Sequence, residues 1–243
     1  MLQGFKRLFA RAGAAAGVTW DEQVVWAEAR RYVLRTVRDG EGFIVEGQTG
    51  NAPWRLEWGP SQRSYVAGNE LRLRAEVGPG QDVQALVLDR TLQSTMESAV
   101  FDQYVDGVQT RIDTETPPEM RWLVMHPKLS GAELGALRER FAAVTAHKPW
   151  LLDWLAGPLT TALQSAPLAE AQPLVLMLAR GRLTLRTGLA DPDPPVLDAW
   201  LRLFTVAQRE ARRVADRAPP SELSGPASSL WAASQVTDGN DGR

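Results

Sequence analysis

The chain contains no cysteine, which excludes disulfides, thiolate nucleophiles and cysteine-based zinc sites. Histidine is scarce as well: His126 and His147 are the two present. His126 falls just before Pro127 at an expected helix end, where an imidazole can cap carbonyls, and neither histidine has local partners for metal binding or general-base work. Lysine occurs only at 6, 128 and 148, so arginine carries nearly all the positive charge. That bias, with abundant alanine and leucine, is the composition of a GC-rich bacterial genome. The formal net charge is −2, which gives no electrostatic reason to expect a nucleic-acid partner. No apolar run reaches the ~20 residues of a membrane span. Lys6, Arg7 and Arg11 interrupt the apolar N-terminus, so it lacks a secretory core, and the cytoplasm is the expected compartment. Gly-x-Ser-x-Gly, the P-loop, the dinucleotide glycine fingerprint and His-Glu-x-x-His are all missing. The sequence therefore points to no catalytic residue, no cofactor and no metal.

What is present is a sheet with a legible register. Phe43, Val45 and Gly47 alternate with Ile44 and Glu46, and Trp54, Leu56 and Trp58 alternate with Arg55 and Glu57. Gly50-Asn51 suits a two-residue hairpin loop. It sets Phe43 opposite Trp58, Val45 opposite Leu56, Gly47 opposite Trp54 and Glu46 opposite Arg55. Gly59-Pro60-Ser61 reads as the next turn, into a strand from Gln62 to Ala67 that places Glu57 against Arg63 and Arg55 against Tyr65. Gly68-Asn69 then turns the chain into Leu71–Val77, with Tyr65 against Arg72 and Arg63 against Arg74. A fifth strand follows from Val83 to Leu88. The expected meander spans about 43–88, with an apolar inner face and an arginine-rich outer one.

Helices are expected around it. Thr19 to Glu22 has capping-box spacing, and the apolar stripe Val25, Trp26, Ala29, Tyr32, Val33, Val37 predicts a sheet-covering helix to about Arg38. A second helix is expected over 91–112. Thr116-Pro117-Pro118-Glu119 opens a helical block of about 116–165. Within it Ser130 to Glu133 is another capping box, with Leu134, Leu137, Phe141 and Val144 following at helical intervals. A hairpin of about 173–188 turns at Arg180-Gly181, its first strand apolar on both faces and so central. Asp193-Pro194-Pro195 starts a long C-terminal helix. The fold class is α+β. Residues 1–17 read as a flexible amphipathic leader, 18–217 as one α+β domain with a subdivision near 113–172, and 218–243 as a disordered tail. Leu71–Val77 echoes Leu183–Leu189, a short pattern common among strands.

Three features bear on function. Arg55, Arg63, Tyr65, Arg72 and Arg74 on the outer sheet face could receive an acidic partner, or pair among themselves with Glu46, Glu57 and Glu76. Phe5 and Phe9 lie on one face of the leader, which could dock a partner or touch a membrane surface weakly. Trp231 stands in an otherwise polar tail. The element order is similar to that of bacterial secretion chaperones, with a long helical insertion between, a resemblance of topology without a residue motif. The expected function is a non-catalytic cytoplasmic module, adaptor or chaperone-like, that binds another protein. The alternative is a small-ligand protein or carboxylate-based enzyme with a pocket between sheet and helical block. A homodimer is compatible with either.

Overall fold

Eight strands make one sheet in the computed structural model, which describes residues 19–37, 41–78, 83–105 and 117–217. In chain order they are β1 (Val33–Thr36), β2 (Phe43–Thr49), β3 (Ala52–Pro60), β4 (Asn69–Glu76), β5 (Ala85–Asp89), β6 (Phe141–Thr145), β7 (Leu174–Ala179) and β8 (Arg182–Gly188). They lie side by side as β1-β2-β3-β4-β8-β7-β5-β6, every ladder antiparallel. The helices are α1 (Asp21–Ala29), α2 (Arg90–Val105), α3 (Pro118–Met125), α4 (Gly131–Leu134), α5 (Lys148–Leu155), α6 (Pro158–Gln164) and α7 (Pro194–Arg217). The α+β class expected from the sequence is the one observed. Among the described residues no helix is long and apolar enough to cross a membrane.

Local turn chemistry fixes the two hairpins. Gly50 takes φ +59°, and the pairs Phe43–Trp58, Val45–Leu56, Gly47–Trp54 and Glu46–Arg55 all form. Gly47 leaves room for the Trp54 indole, because a Cβ there would lie 2.4 Å from that ring. At the second hairpin Arg180 and Gly181 both take positive φ, the geometry of a two-residue turn that matches strand twist. It pairs Leu174 with Thr187, Leu176 with Leu185 and Leu178 with Leu183. The two echoing segments become β4 and β8, which pair with each other in the middle of the sheet.

Four expected elements come out differently. β5, expected to extend the meander from β4, pairs with β6 and β7, while β4 takes β8 as its second neighbour. The first helix stops at Ala29, and 33–36 is an edge strand instead. Arg31 sits at φ 60° while its amide donates to Glu28 and that of Tyr32 donates to Ala27, a Schellman closure made without glycine. Trp20 occupies the N-cap with no side-chain cap, so Thr19 does not close the expected box. The strand expected over Gln62–Ala67 is a compact loop. Its amides bond locally, Arg63 N to Ser61 Oγ and Val66 N to Arg63 O, and Gln62 N reaches Glu70 Oε2. Such bonds give the backbone an alternative to a ladder. Finally, Phe141 and Val144 belong to β6, not to a helix. The Ser130–Glu133 capping box forms, but Gly135 at φ +53° ends α4 after one turn and the chain returns to the sheet.

The inner face, with Phe43, Leu56, Leu73, Leu185 and Leu176, is covered by α5, α6 and α7 through Trp154, Leu159, Trp200 and Phe204, all in one buried cluster. On the outer face a second cluster joins Leu86, Leu88, Ala142, Val144 and Val175 to Leu92 and Met96 of α2 and Trp122 and Leu123 of α3. Asp89 ties these parts together: Oδ1 accepts from Leu92 N at the start of α2 and Oδ2 from Leu174 N at the start of β7.

Candidate functional site

The outer face of β3, β4 and β8 carries the arginines singled out in the sequence, in rows set by the ladders. Glu57, Arg72 and Arg186 form one row, and Arg55, Arg74 and Thr184 the next. The loop at 61–68 changes the expected neighbours: Glu57 faces Arg72 in place of Arg63, and Arg55 faces Arg74 in place of Tyr65. Arg55–Arg74 and Arg72–Arg186 are like charges directly opposite, an arrangement that destabilises a sheet unless carboxylates intervene. Glu57 intervenes, reaching Arg55 Nε at 2.7 Å, Arg72 Nη2 at 3.1 Å and Arg74 Nη2 at 3.9 Å. Glu46 takes Arg55 and Arg35, and Glu70 takes Arg186 Nη1 at 2.5 Å.

Arg63 and Tyr65 leave the sheet face and converge on Glu119 of α3. Arg63 Nε donates to Glu119 Oε1 at 3.2 Å and Tyr65 Oη to the same oxygen at 3.0 Å, with Arg186 Nε 3.9 Å away. Burial, then the Glu119 charge, pushes the Tyr65 hydroxyl well above the ordinary phenol range. Burial disfavours the Arg63 charge, but Glu119 more than offsets it and the net shift is upward. Arg72 goes the other way: burial lowers its pKa, Glu57 and Glu70 oppose the fall, and Arg186 and Arg74 add to it. Among the described residues, Arg72 Nε and Nη1, Arg186 Nε and Glu119 Oε2 are buried without a hydrogen-bond partner. Phe5, Phe9 and Trp231 lie outside the described residues.

A second feature escaped the sequence reading. A groove of about 690 Å³ runs between α1 and α7, lined by Asp21, Glu22, Val25, Trp26, Ala29, Arg30, Pro194, Pro195, Asp198 and Arg202. Val25, expected to face the sheet, is 66% exposed. Trp26 is the floor, and its indole donates to Asp198 Oδ1 at 2.9 Å. Arg30 holds the other oxygen, Oδ2, at 2.6 Å and lies over the Trp26 ring at 5.6 Å. Gln23 Nε2 bonds to Pro192 O at the far end. These contacts fix α1 against α7 beneath an open groove, with Asp21 and Glu22 at the Pro194 end and Arg30 and Arg202 at the other. Only long-range packing creates it, since Trp26 and Asp198 are remote in sequence. The one local clue was apolar residues on both sides of α1.

Among the described residues no three His, Asp or Glu side chains converge to hold a metal ion. Fold and site together define a helix-covered antiparallel α+β protein with a shallow, open apolar groove and a half-buried arginine face. No family model matches the chain, and no curated protein does. Among solved structures, the chain is similar to the mycobacterial trehalose monomycolate transport factor A, TtfA, with a TM-score of 0.46 and 12% identity over 82% of this chain and 96% of that one.

Proposed function

We propose that the protein is a non-catalytic binding module, adaptor or chaperone-like, whose groove between α1 and α7 receives an amphipathic peptide segment of a partner protein. The observation that carries this reading is the exposed Val25 above the Trp26 floor, in a groove whose two ends bear opposite charge. An apolar stripe would fill the groove, with a basic residue toward Asp21 and Glu22 and an acidic one toward Arg202. Electrostatic complementarity of that kind sets orientation and register more than affinity. The alternative of a carboxylate enzyme gains no support from Glu57, Glu70 and Glu119, each of which is held by arginine.

Fluorescence anisotropy with a designed helical peptide, Lys at one end and Glu at the other, tests the reading. Val25→Asp should weaken binding by about tenfold or more, because it buries a charge under the apolar stripe. Arg202→Glu should weaken it up to about fivefold and be rescued by a peptide with that end reversed. Equal binding of a scrambled peptide, or no effect of Val25→Asp, would sink it. Binding seen only after removal of residues 1–18 would assign the groove to the chain's own leader and overturn the partner reading.

A further inference from the structure

We infer that the open edge of the sheet, β1, is a self-association surface, on which a second copy of this chain adds its own β1 antiparallel with Arg35 on the two-fold axis. The inference rests on the sheet edge and not on the groove between α1 and α7, so either can fail without the other. The two edges of the sheet are finished differently. At β6 the segment 127–129 lies along the outer side: Thr145 N donates to Pro127 O, Leu129 N donates to Ala143 O, and Lys128 bridges to Val144. At the other end of the strand order, no strand among the described residues pairs with the far side of β1. Such an edge templates pairing with another strand, and natural sheets blunt it with charge, proline or a bulge. β1 has no proline, and its one charge, Arg35, is already held by Glu46 at 3.5 Å. Beside Arg35 on the outer face, Val33 and Val37 are 51% and 43% exposed.

The ladder with β2 determines which backbone groups are open. Val37 N donates to Gly42 O, and Arg35–Ile44 and Val33–Glu46 continue that register. Bonded and non-bonded pairs alternate in an antiparallel ladder, so Val33, Arg35 and Val37 turn their N–H and C=O toward β2. Leu34 and Thr36 turn theirs outward. Tyr32 also faces outward, but its amide donates to Ala27 O at the end of α1, which closes that end of the edge. The open stretch is therefore 33–37, and its midpoint is Arg35. Self-pairing about Arg35 sets Leu34 against the partner's Thr36, so that every outward N–H and C=O of the stretch gains a partner. On the outer face it lays Val33 against the partner's Val37 and covers both exposed valines. With the axis at Leu34, Thr36 would meet Tyr32, whose amide is taken; with the axis at Thr36, Val33 would fall beyond the open stretch. Any strand could meet the same backbone groups, but the symmetric spacing of the valines about Arg35 favours a second copy. Two like charges meet at the axis, each held by Glu46 of its own chain, and the strand is short; both keep the association weak and reversible.

Sedimentation of the full chain over a concentration series should show a monomer–dimer equilibrium. Thr36→Pro removes an outward N–H and no bond to β2, so the monomer should keep its Tm nearly unchanged while dimerisation weakens about tenfold or more. Arg35→Glu mixed with the wild type should associate up to about fivefold more tightly than either alone, because unlike charges then meet at the axis. The chain has no cysteine, so Arg35→Cys reports the register cleanly. Residues opposite each other in a non-hydrogen-bonded pair have Cα atoms ~4.5 Å apart, within disulfide reach. Under mild oxidant Arg35→Cys should form a covalent dimer about tenfold faster or more than Val33→Cys, whose copy lies more than ~10 Å along the partner strand. A chain that stays monomeric up to about 1 mM overturns the inference. So does a dimer unmoved by Thr36→Pro, which would use another surface. Should Thr36→Pro fail to fold, the cysteine variants decide: equal cross-linking at Arg35→Cys and Val33→Cys overturns the site.

Discussion

On the outer face of the sheet, β5, β6 and β7 present Leu86, Leu88, Ala142, Val144 and Val175, while β3, β4 and β8 present Arg55, Glu57, Arg72, Arg74 and Arg186. The boundary is a single ladder, where Val175 pairs with Arg186 and Met177 with Thr184. Helix α3 straddles it, giving Trp122 and Leu123 to the apolar half and Glu119 to the charged half. The apolar half gains by removing area from water and asks little of its neighbours' chemistry. The charged half gains only while each buried charge keeps a specific partner, and loses heavily when one is removed. The two halves should therefore differ less in how much a truncation costs than in which replacement restores it.

The largest effect is expected at the bridge between them. Glu119→Ala removes the acceptor shared by Arg63 and Tyr65 and a carboxylate 3.9 Å from Arg186 Nε. The cost should be about 4 kcal/mol, in the range for breaking a buried ion pair. Urea unfolding measures it. Glu119→Gln keeps the shape and loses the charge, and should recover only a minor part. Near-complete recovery would mean that α3 is held by packing and that the two halves are not distinct.

Leu88→Ala is the matched test on the apolar side. Leu88 is fully buried in the cluster under α2 and α3, and its truncation should cost about 3 kcal/mol in the same assay. Here Leu88→Met, similar in volume, should restore stability to within about 1.5 kcal/mol of wild type. If the volume-conserving change fails at Leu88 as the shape-conserving one fails at Glu119, the comparison collapses.

How much of this was open to a reader of the sequence follows from how local the determinants are. Gly50-Asn51 and Arg180-Gly181 set their registers within a few residues, so both hairpins and the apolar faces they align could be read directly. The β3–β4 connection could not. Its loop is closed by Ser61 and by Glu70, bonds whose partners look like ordinary strand residues in one dimension. That miss displaced Arg63 and Tyr65 from the sheet to Glu119 and moved Arg72 beside Glu57. Arg31 hid the end of α1, because a Schellman closure usually announces itself with glycine. Phe141 and Val144 keep helical spacing from Leu134 yet sit in β6, where Ala85–Asp89 supplies the pairing that periodicity cannot see. The α1–α7 groove depends on Trp26 meeting Asp198, and no pattern within either helix encodes that meeting.

The smallest expected effect separates the halves by pH. His126 caps the end of α3 on the apolar side, with Nε2 2.7 Å from Gln84 Oε1 and its ring 5.8 Å from Trp122. Burial, then the nearby His147, lowers its pKa below the ordinary histidine value. The unfolded chain therefore takes up a proton at His126 before the folded one does. Stability is full above the unfolded value of about 6.5, falls as the pH drops through the folded value, and levels off below it. Urea midpoints between pH 8 and pH 5 should show a shallow decline that His126→Gln flattens. Arg63→Gln removes a hydrogen bond to Glu119 on the charged side and no group that titrates between pH 5 and pH 8, so it should lower the whole curve without flattening its slope. A slope that vanishes in Arg63→Gln and survives in His126→Gln would place the near-neutral pH sensitivity in the wrong half of the sheet.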